Sequence, residues 1–325
     1  MLLFCMHKIT IWSIHIYMKK SNSCIVRDLK KLSYMIDVVP KAEMRAYTSF
    51  RIGGKCIALV NISSVEEVIK VTRYLTQEHI PYFVLGRGTN VLASENYDGV
   101  IIRFAEKFAK IKTVYETDKN AYVQIESGAN VNDLVKYCKE HKLRGMQDAV
   151  GLPGSVAGAV VMNACCYDYC TQNLVTGVLA LVDGKITQFG NKECLFDNKD
   201  SVFKHNGAII LRVEMKLTKD EDYDYDARMM YIASLRSRQP KGHSAGCVFK
   251  NNNNVSSGKI LDEACVKGMR VGGAVVSNLH ANFIINDMGA TSSDVIELMH
   301  KMKEKVNVDL QPEIVLMPPL QFDNI

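Results

Sequence analysis

The stretch Leu85-Gly86-Arg87-Gly88-Thr89-Asn90 is the middle one of three glycine-rich turns on which the fold prediction rests. The first turn is Arg51-Ile52-Gly53-Gly54, and the third runs from Gly151 to Gly158 as GLPGSVAG. Glycine lets the backbone approach a ligand closely, and successive amides in such a turn form a concave anion site. A pyrophosphate could bind to such amides, but one such turn alone is usually an ordinary hairpin and is weak evidence for a ligand site.

Two common nucleotide-binding motifs are missing from the chain. The middle turn lacks the Gly-x-Gly-x-x-Gly spacing of dinucleotide-binding folds, and no Gly-x-x-x-x-Gly-Lys-Ser/Thr string occurs. The sequence therefore argues against a Rossmann domain and against a P-loop.

In the sequence around the turns, short apolar runs alternate with amphipathic stretches, and this pattern predicts an α+β fold. Ser64 and Asn130 stand where helix caps are expected, and Asp183-Gly184 reads as a hairpin turn. The pattern predicts strands at Cys56–Asn61, Tyr82–Leu85, Gly99–Phe104, Ala121–Glu126 and Val175–Val182, and helices at Ser64–Gln77, Val131–His141, Arg228–Arg238 and Ser292–Val306.

Composition narrows the class of protein. The chain has 325 residues, 47% of them hydrophobic and 23% charged, which is typical of a globular protein of two or three lobes. The net charge of +5 comes from scattered residues, so a nucleic-acid partner is not expected. The ten cysteines are expected to be buried free thiols, since Cys165, Cys166 and Cys170 lack the companions of a metal site.

The first seventeen residues form an apolar stretch that resembles a targeting segment. His7, Lys8 and His15 interrupt it, and no small-residue cleavage site follows, so neither a membrane span nor a secretory signal is predicted. Met18 is a candidate for the true start.

Several motifs together resemble one family. They are Tyr47–Gly54, Leu85–Leu92, Gly151–Asn163, Ser244–Asn251, Gly268–Ala274, Ser277–Asn286 and Gln311–Glu313, and the resemblance covers about Val38 to Leu316. The chain resembles the UDP-N-acetylenolpyruvoylglucosamine reductases of peptidoglycan synthesis, in the short type without an extra insertion in the substrate lobe.

The resemblance implies a two-lobed FAD-binding domain of the PCMH and vanillyl-alcohol-oxidase type, followed by a smaller α+β substrate-binding domain. On this basis residues 1–34 are an N-terminal extension of unknown role, 35–105 the first FAD lobe, 106–219 the second, and 220–325 the substrate domain. NADPH would give hydride to FAD, which passes it to the enolpyruvyl ether of a UDP-sugar, and negative charge develops at the adjacent carbon and its carboxylate.

Such chemistry needs an acid, a cation and a further donor. By resemblance the acid is Cys247, where most members carry serine, the cation is Lys199, where the family has arginine, and the third residue is Glu313. A thiol has an ordinary pKa of about 8.5 and is a better acid than a hydroxyl. Lysine keeps the charge of arginine but loses its planar fork.

The resemblance also assigns binding residues. Cofactor binding falls on Arg51, Gly53, Gly54, Gly86, Arg87, Gly88, Thr89, Asn90, Gly128, Gly154, Ser155, Gly158 and Ala159, and substrate binding on Arg238, Lys250 and Asn251. Residues 165–168 replace a run of small residues in the family, and their bulk puts that part of the flavin site in question.

Three hypotheses follow. The first is an active, cytoplasmic, NADPH-dependent flavoenzyme without a nucleic-acid, membrane or obligate protein partner. The second is a catalytically weakened homologue that still binds FAD and the UDP-sugar, suggested by the combined replacements at Lys199, Cys247 and residues 165–168. The third is a flavin oxidase that shares the cofactor lobes, which the match at Ser244–Asn251 disfavours.

Overall fold

The first lobe is built on a sheet of four strands with the order β1-β2-β5-β3. The computed structural model describes residues 20–252 and 255–322, so the predictions for the apolar N-terminal stretch and for Met18 lie outside it. The lobe comprises α1 Asn22–Leu32, β1 Asp37–Pro40, β2 Lys55–Ile62, α2 Val65–Gln77, β3 Tyr82–Val84, β4 Val91–Leu92 and β5 Asn96–Phe104. β2 is apolar and almost wholly buried, and β5 is buried over its central residues Gly99–Ile102, as expected where a strand is covered on both faces.

Helix α1 lies inside the segment predicted as an N-terminal extension. Ile25 and Leu29 are buried and pack in one hydrophobic cluster with Val68 and Val71 of α2. The Ser21 hydroxyl caps the helix by accepting from the Cys24 N–H at 3.4 Å. Residues before the predicted lobe boundary thus contribute to the core of the first lobe.

The second lobe contains an antiparallel sheet with the order β12-β11-β13-β7-β6, to which β8 adds by pairing with β13. Its elements are β6 Ile111–Glu116, β7 Asn120–Glu126, α3 Val131–Glu140, β8 Leu143–Arg144, α4 Val156–Val161, β9 Cys165–Cys166, β10 Tyr169–Cys170, β11 Val175–Val182, β12 Lys185–Gly190 and β13 Ile209–Lys219. Leu181, Ile209 and Leu211 of this sheet pack into the core of the first lobe, so the two lobes share apolar contacts.

The C-terminal part of the chain packs helices against a sheet of three antiparallel strands. It contains α5 Tyr225–Arg236, α6 Ser257–Glu263, β14 Arg270–Val271, β15 Ala274–Val276, β16 Ile284–Asn286, α7 Ser292–Glu304 and β17 Val315–Leu316. β17 pairs in parallel with β4 of the first lobe. Phe50, Ile52 and Leu92 of that lobe are buried in the C-terminal core, which fixes the two parts against each other.

Most predicted elements are confirmed, with three corrections. The predicted helix Arg228–Arg238 is α5 and ends at Arg236, which leaves Arg238 beyond it. Asn130 occupies the N-cap of α3 but makes no capping bond; its amide nitrogen donates to the Asp133 carboxylate at 2.7 Å, and its side-chain oxygen has no partner among the described residues. Cys165 and Cys170 are not free thiols, since a disulfide joins them across the hairpin of β9 and β10.

No helix among residues 20–252 and 255–322 is long and apolar enough to cross a membrane. The same residues contain no group of three or more His, Cys, Asp or Glu side chains that could hold a metal ion.

The position of α1 gives a first prediction. Leu29→Ala should lower the free energy of unfolding by about 2–5 kcal/mol, because it removes a fully buried side chain from the first-lobe core. Lys30→Ala, an exposed neighbour on the same helix, should change it by less than about 0.5 kcal/mol. Urea denaturation followed by circular dichroism measures both, and a Leu29→Ala variant as stable as the Lys30→Ala control would contradict the packing of α1.

Candidate active site

Lys199 stands at the corner of a tight turn in the second lobe. The backbones of Asp197 and Asp200 exchange two hydrogen bonds, of 3.1 and 3.2 Å, and Lys199 has a left-handed φ of 54°. The buried side chain of Asn163 donates to the Asp197 carbonyl at 2.9 Å and so anchors the turn to the protein interior. The motif Gly151–Asn163, which contains the third glycine-rich turn, is therefore hydrogen-bonded directly to the Lys199 turn.

Glu313 and Cys247 are brought together by two antiparallel segments of the C-terminal part. The Glu313 N–H donates to the Val248 carbonyl, and the Lys250 N–H donates to the Gln311 carbonyl, both at 2.8 Å. Glu313 is also linked to the middle glycine-rich turn, because the Asn90 amide donates to its carbonyl at 3.1 Å. Backbone hydrogen bonds thus hold the segment that carries Cys247 alongside the segment that carries Glu313.

An ion pair joins the two parts of this cluster. Lys199 Nζ lies 3.0 Å from Glu313 Oε1, and the two side chains are only 24% and 17% exposed. A pair with this little solvent is screened far less than a surface pair. The structure therefore places two of the three predicted catalytic side chains in direct contact.

Cys247 lies within electrostatic reach of both charges. Burial, with a smaller contribution from the carboxylate of Glu313, raises the pKa of its thiol to about 12, and the ammonium of Lys199 opposes the shift. The ordinary thiol pKa used in the sequence argument does not apply at this position. The thiol keeps its proton at neutral pH and is a weaker acid than the sequence alone predicted.

A second lysine at this site was missed by the sequence analysis. Lys204 Nζ donates to the Lys199 carbonyl at 3.3 Å and lies 3.8 Å from Asp200 Oδ1. Burial lowers the pKa of Lys204, while the charge of Asp200 opposes this. The i,i+4 spacing of Asp200 and Lys204 could have predicted an ion pair from the sequence. The spacing could not have predicted that Lys204 also bonds to the Lys199 carbonyl.

The middle and third glycine-rich turns lie side by side. A Cβ on Gly86 would come within 2.8 Å of Ser155 Oγ, and one on Gly154 within 3.3 Å of Thr89 Oγ1. Gly88 has a φ of 66°, and its Cβ would lie 2.1 Å from the Tyr47 carbonyl oxygen. Two of the predicted anion-binding turns therefore meet at one place.

Other predicted cofactor glycines serve contacts within the chain. A Cβ on Gly53 would meet Ala93 at 2.6 Å, one on Gly54 would overlap the Glu95 carbonyl oxygen, and one on Gly128 would lie 2.5 Å from the Phe108 carbonyl oxygen. These positions need glycine for close backbone packing. Cofactor binding by the three stays a prediction.

Near α4, Ser155 and Gly158 form a helix cap. The Ser155 hydroxyl accepts from the Gly158 N–H at 3.1 Å, and both Ser155 and Ala159 are buried. Ser155 thus shapes the backbone of the third turn through its side chain.

An arginine-rich cleft of about 390 Å³ opens beside the middle turn. Arg103, which was not singled out from the sequence, stands with its guanidinium over the Tyr47 ring at 5.3 Å. Its Nε is buried and has no hydrogen-bond partner among the described residues. Burial lowers the pKa of Arg103, and the nearby charge of Arg87 adds to this. The cleft is lined by Ala46, Tyr47, Thr48, Ser49, Arg51, Arg87, Arg103 and His243.

Two of the three predicted substrate residues lie at the cluster. Asn251 accepts from the Asn198 side chain at its carbonyl, 3.2 Å away, and is therefore next to the Lys199 turn. Lys250 is half-buried on the same segment, close enough to influence Lys204. Arg238 is exposed beyond the end of α5, and no contact in the described part of the chain ties it to the cluster.

Comparison with known proteins gives the family. Residues 57–190 match the model of an FAD binding domain, and residues 239–317 match the C-terminal domain of UDP-N-acetylenolpyruvoylglucosamine reductase. A relative of that name from Syntrophomonas wolfei is 33% identical over 83% of this chain and 92% of its own length. The chain belongs to the UDP-N-acetylenolpyruvoylglucosamine reductase family.

Further members of this reductase family agree with the assignment. The chain is 34% identical to one from Caldanaerobacter subterraneus, over 84% of this chain and 91% of the relative. The crystal structure of the reductase from Thermus caldophilus, 31% identical, superposes with a TM-score of 0.74 over 87% of this chain and 99% of its own. The predicted fold, an FAD-binding domain followed by a smaller C-terminal domain, is confirmed.

The environment of Cys247 gives a second prediction. Alkylation of Cys247 by iodoacetamide should be slow at pH 7.5 and should rise steadily with pH without a plateau near pH 9, because only the thiolate reacts. Mass spectrometry of the tryptic peptides measures this, with the exposed Cys265 as internal reference. A rate for Cys247 that levels off near pH 9 would show that the thiol has an ordinary pKa.

Proposed function

We propose that this chain catalyses the NADPH-dependent, FAD-mediated reduction of UDP-N-acetylglucosamine enolpyruvate to UDP-N-acetylmuramate in peptidoglycan synthesis. The observation that carries the proposal is the Lys199–Glu313 ion pair of 3.0 Å near the half-buried Cys247. Acid, cation and carboxylate meet where the chain also anchors the turn Gly86–Asn90. The names of the relatives support the reductase and give no support to the weakened homologue.

The residues present suit FAD. The paired turns around Gly86 and Gly154 offer backbone amides to a pyrophosphate, and the arginine-rich cleft beside them supplies positive charge. The buried, unpaired Nε of Arg103 is a donor that an anion would satisfy. These residues would hold FAD, which would supply hydride transfer from NADPH to the vinyl carbon of the substrate.

Cys247 acts as the proton donor in this proposal. The proton on Sγ moves to the carbon next to the carboxylate as charge builds there. A thiol with its pKa raised to about 12 is fully protonated in the resting enzyme and still acidic enough to protonate a carbanion. Burial and the charge of Glu313 thus keep the Cys247 thiol protonated at neutral pH.

Lys199 stabilises the carboxylate of the intermediate as it gains charge. Glu313 holds the ammonium in place, and the Lys204 hydrogen bond to the Lys199 carbonyl holds the turn. A lysine cannot offer the two parallel N–H groups of arginine, so its position depends more on these supports. In this proposal these supports offset the loss of the arginine fork.

Replacement of Cys247 gives the third prediction. In the full chain loaded with FAD, Cys247→Ala should lower kcat by about 10²–10⁴-fold, because the proton donor is lost. Cys247→Ser should retain most of the activity, since a hydroxyl can fill the same role. Stopped-flow measurement should show that NADPH still reduces the flavin in both variants at the rate of the unmodified chain.

The exposed Cys265→Ala variant is the matched control and should turn over normally. Full activity of Cys247→Ala would remove the thiol from the mechanism. An unmodified chain that binds FAD and the UDP-sugar without oxidising NADPH would instead favour the weakened homologue. Cytoplasmic location and the absence of a nucleic-acid or obligate protein partner remain predictions.

A further inference from the structure

Within the described part of the chain, Arg236 is a half-buried cation without a counter-ion. It is the last residue of α5, and its Nη2 donates to the thiol sulfur of Cys166 at 3.1 Å. Its Nε is buried with no hydrogen-bond partner, and none of the ion pairs among residues 20–252 and 255–322 includes it. Leaving a guanidinium partly desolvated and unpaired is costly, which points to an anion that completes the site.

A second arginine of α5, Arg228, is fully paired with carboxylates and has a structural role. Arg228, two helical turns earlier, forms a bidentate ion pair of 2.6 Å with the buried Asp148 and a further contact of 2.6 Å with Asp168. These contacts tie α5 to the second lobe and neutralise Arg228. Arg236 has only a thiol in the corresponding place.

The surroundings of Arg236 are held firmly. Its guanidinium lies 5.4 Å from the centre of the Tyr167 ring, and a Cβ on Gly151 would lie 3.0 Å from its Cδ. Tyr167 and Cys166 belong to the hairpin that the Cys165–Cys170 disulfide closes. The guanidinium is therefore oriented beside the third glycine-rich turn before any ligand arrives.

Cys166 links Arg236 to the catalytic cluster. Burial raises the pKa of the Cys166 thiol, and the charges of Arg236 and Lys199 both oppose that shift, so the thiol lies within reach of the two cations. The charge of Lys199 is already balanced by Glu313, and Lys204 faces Asp200. Arg236 is therefore a side-chain cation near Lys199 that has no carboxylate partner in the described part of the chain, and it differs from the neighbouring Lys250 in its planar guanidinium.

We propose that Arg236 binds an oxyanion of the substrate, either the enolpyruvyl carboxylate or the diphosphate, with its planar guanidinium. This inference rests on the proposed function and deepens it, because it names a further substrate-binding residue. The guanidinium of Arg236 would supply the planar pair of N–H donors that Lys199 lacks. Nη2 reaches the sulfur of Cys166, a weak acceptor, so the remaining N–H groups are free for stronger oxygen acceptors.

Kinetics of the full FAD-loaded chain test the assignment. Arg236→Gln should raise KM for UDP-N-acetylglucosamine enolpyruvate by about tenfold or more, and Arg236→Lys by less, because lysine keeps the charge without the fork. Flavin content, melting temperature and the rate of flavin reduction by NADPH should not change. Arg73→Gln, an exposed arginine on α2, is the matched control.

Inhibition by UDP separates the two oxyanions, since UDP has the diphosphate and no carboxylate. If Arg236→Gln weakens UDP and the substrate alike, the bound group is the diphosphate, and if it weakens only the substrate, the group is the carboxylate. An unchanged KM in both Arg236 variants would overturn the assignment. An unmodified chain without turnover would contradict the proposed function instead, and calorimetric titration with UDP would still show whether Arg236→Gln loses an oxyanion contact.

Discussion

The ion pair between Lys199 and Glu313 is the contact on which the site depends. It joins a turn of the second lobe to the segment that leads into β17, and β17 in turn pairs with β4 of the first lobe. All three parts of the chain therefore meet at one half-buried pair of charges. Because the pair is largely withdrawn from water, displacement of any of the three parts would leave a charge without its partner.

The same arrangement sets the chemistry available to Cys247. Cys247 is half-buried near a carboxylate, so the neutral form of its thiol is favoured and its pKa is raised, while the nearby ammonium opposes the shift. Glu313 thus has two effects in this account, since it orients Lys199 and keeps the donor protonated. Arg236 is not part of the Lys199–Glu313 ion pair, and in our proposal it binds an oxyanion of the substrate.

Local sequence patterns were sufficient for most of the fold. The strand Val175–Val182 and the cap at Ser64 lie where periodicity and capping chemistry predict them. The end of α5 was predicted two residues late, and only the structure shows that Arg236 contacts Cys166. The disulfide of Cys165 was likewise invisible, because a pairing depends on the hairpin geometry and not on the spacing of cysteines. The family motifs located three catalytic candidates, but supporting residues such as Lys204 are defined only by tertiary contacts.

A double-mutant cycle on kcat tests the central ion pair most directly. Lys199→Met, Glu313→Gln and the combined variant would be compared with the unmodified chain, each loaded with FAD and checked for flavin content. If the two side chains act as one unit, the double variant should be no slower than the worse single variant, because either change alone already disables the pair. Rate losses that simply multiply in the double variant would show that Lys199 and Glu313 act independently.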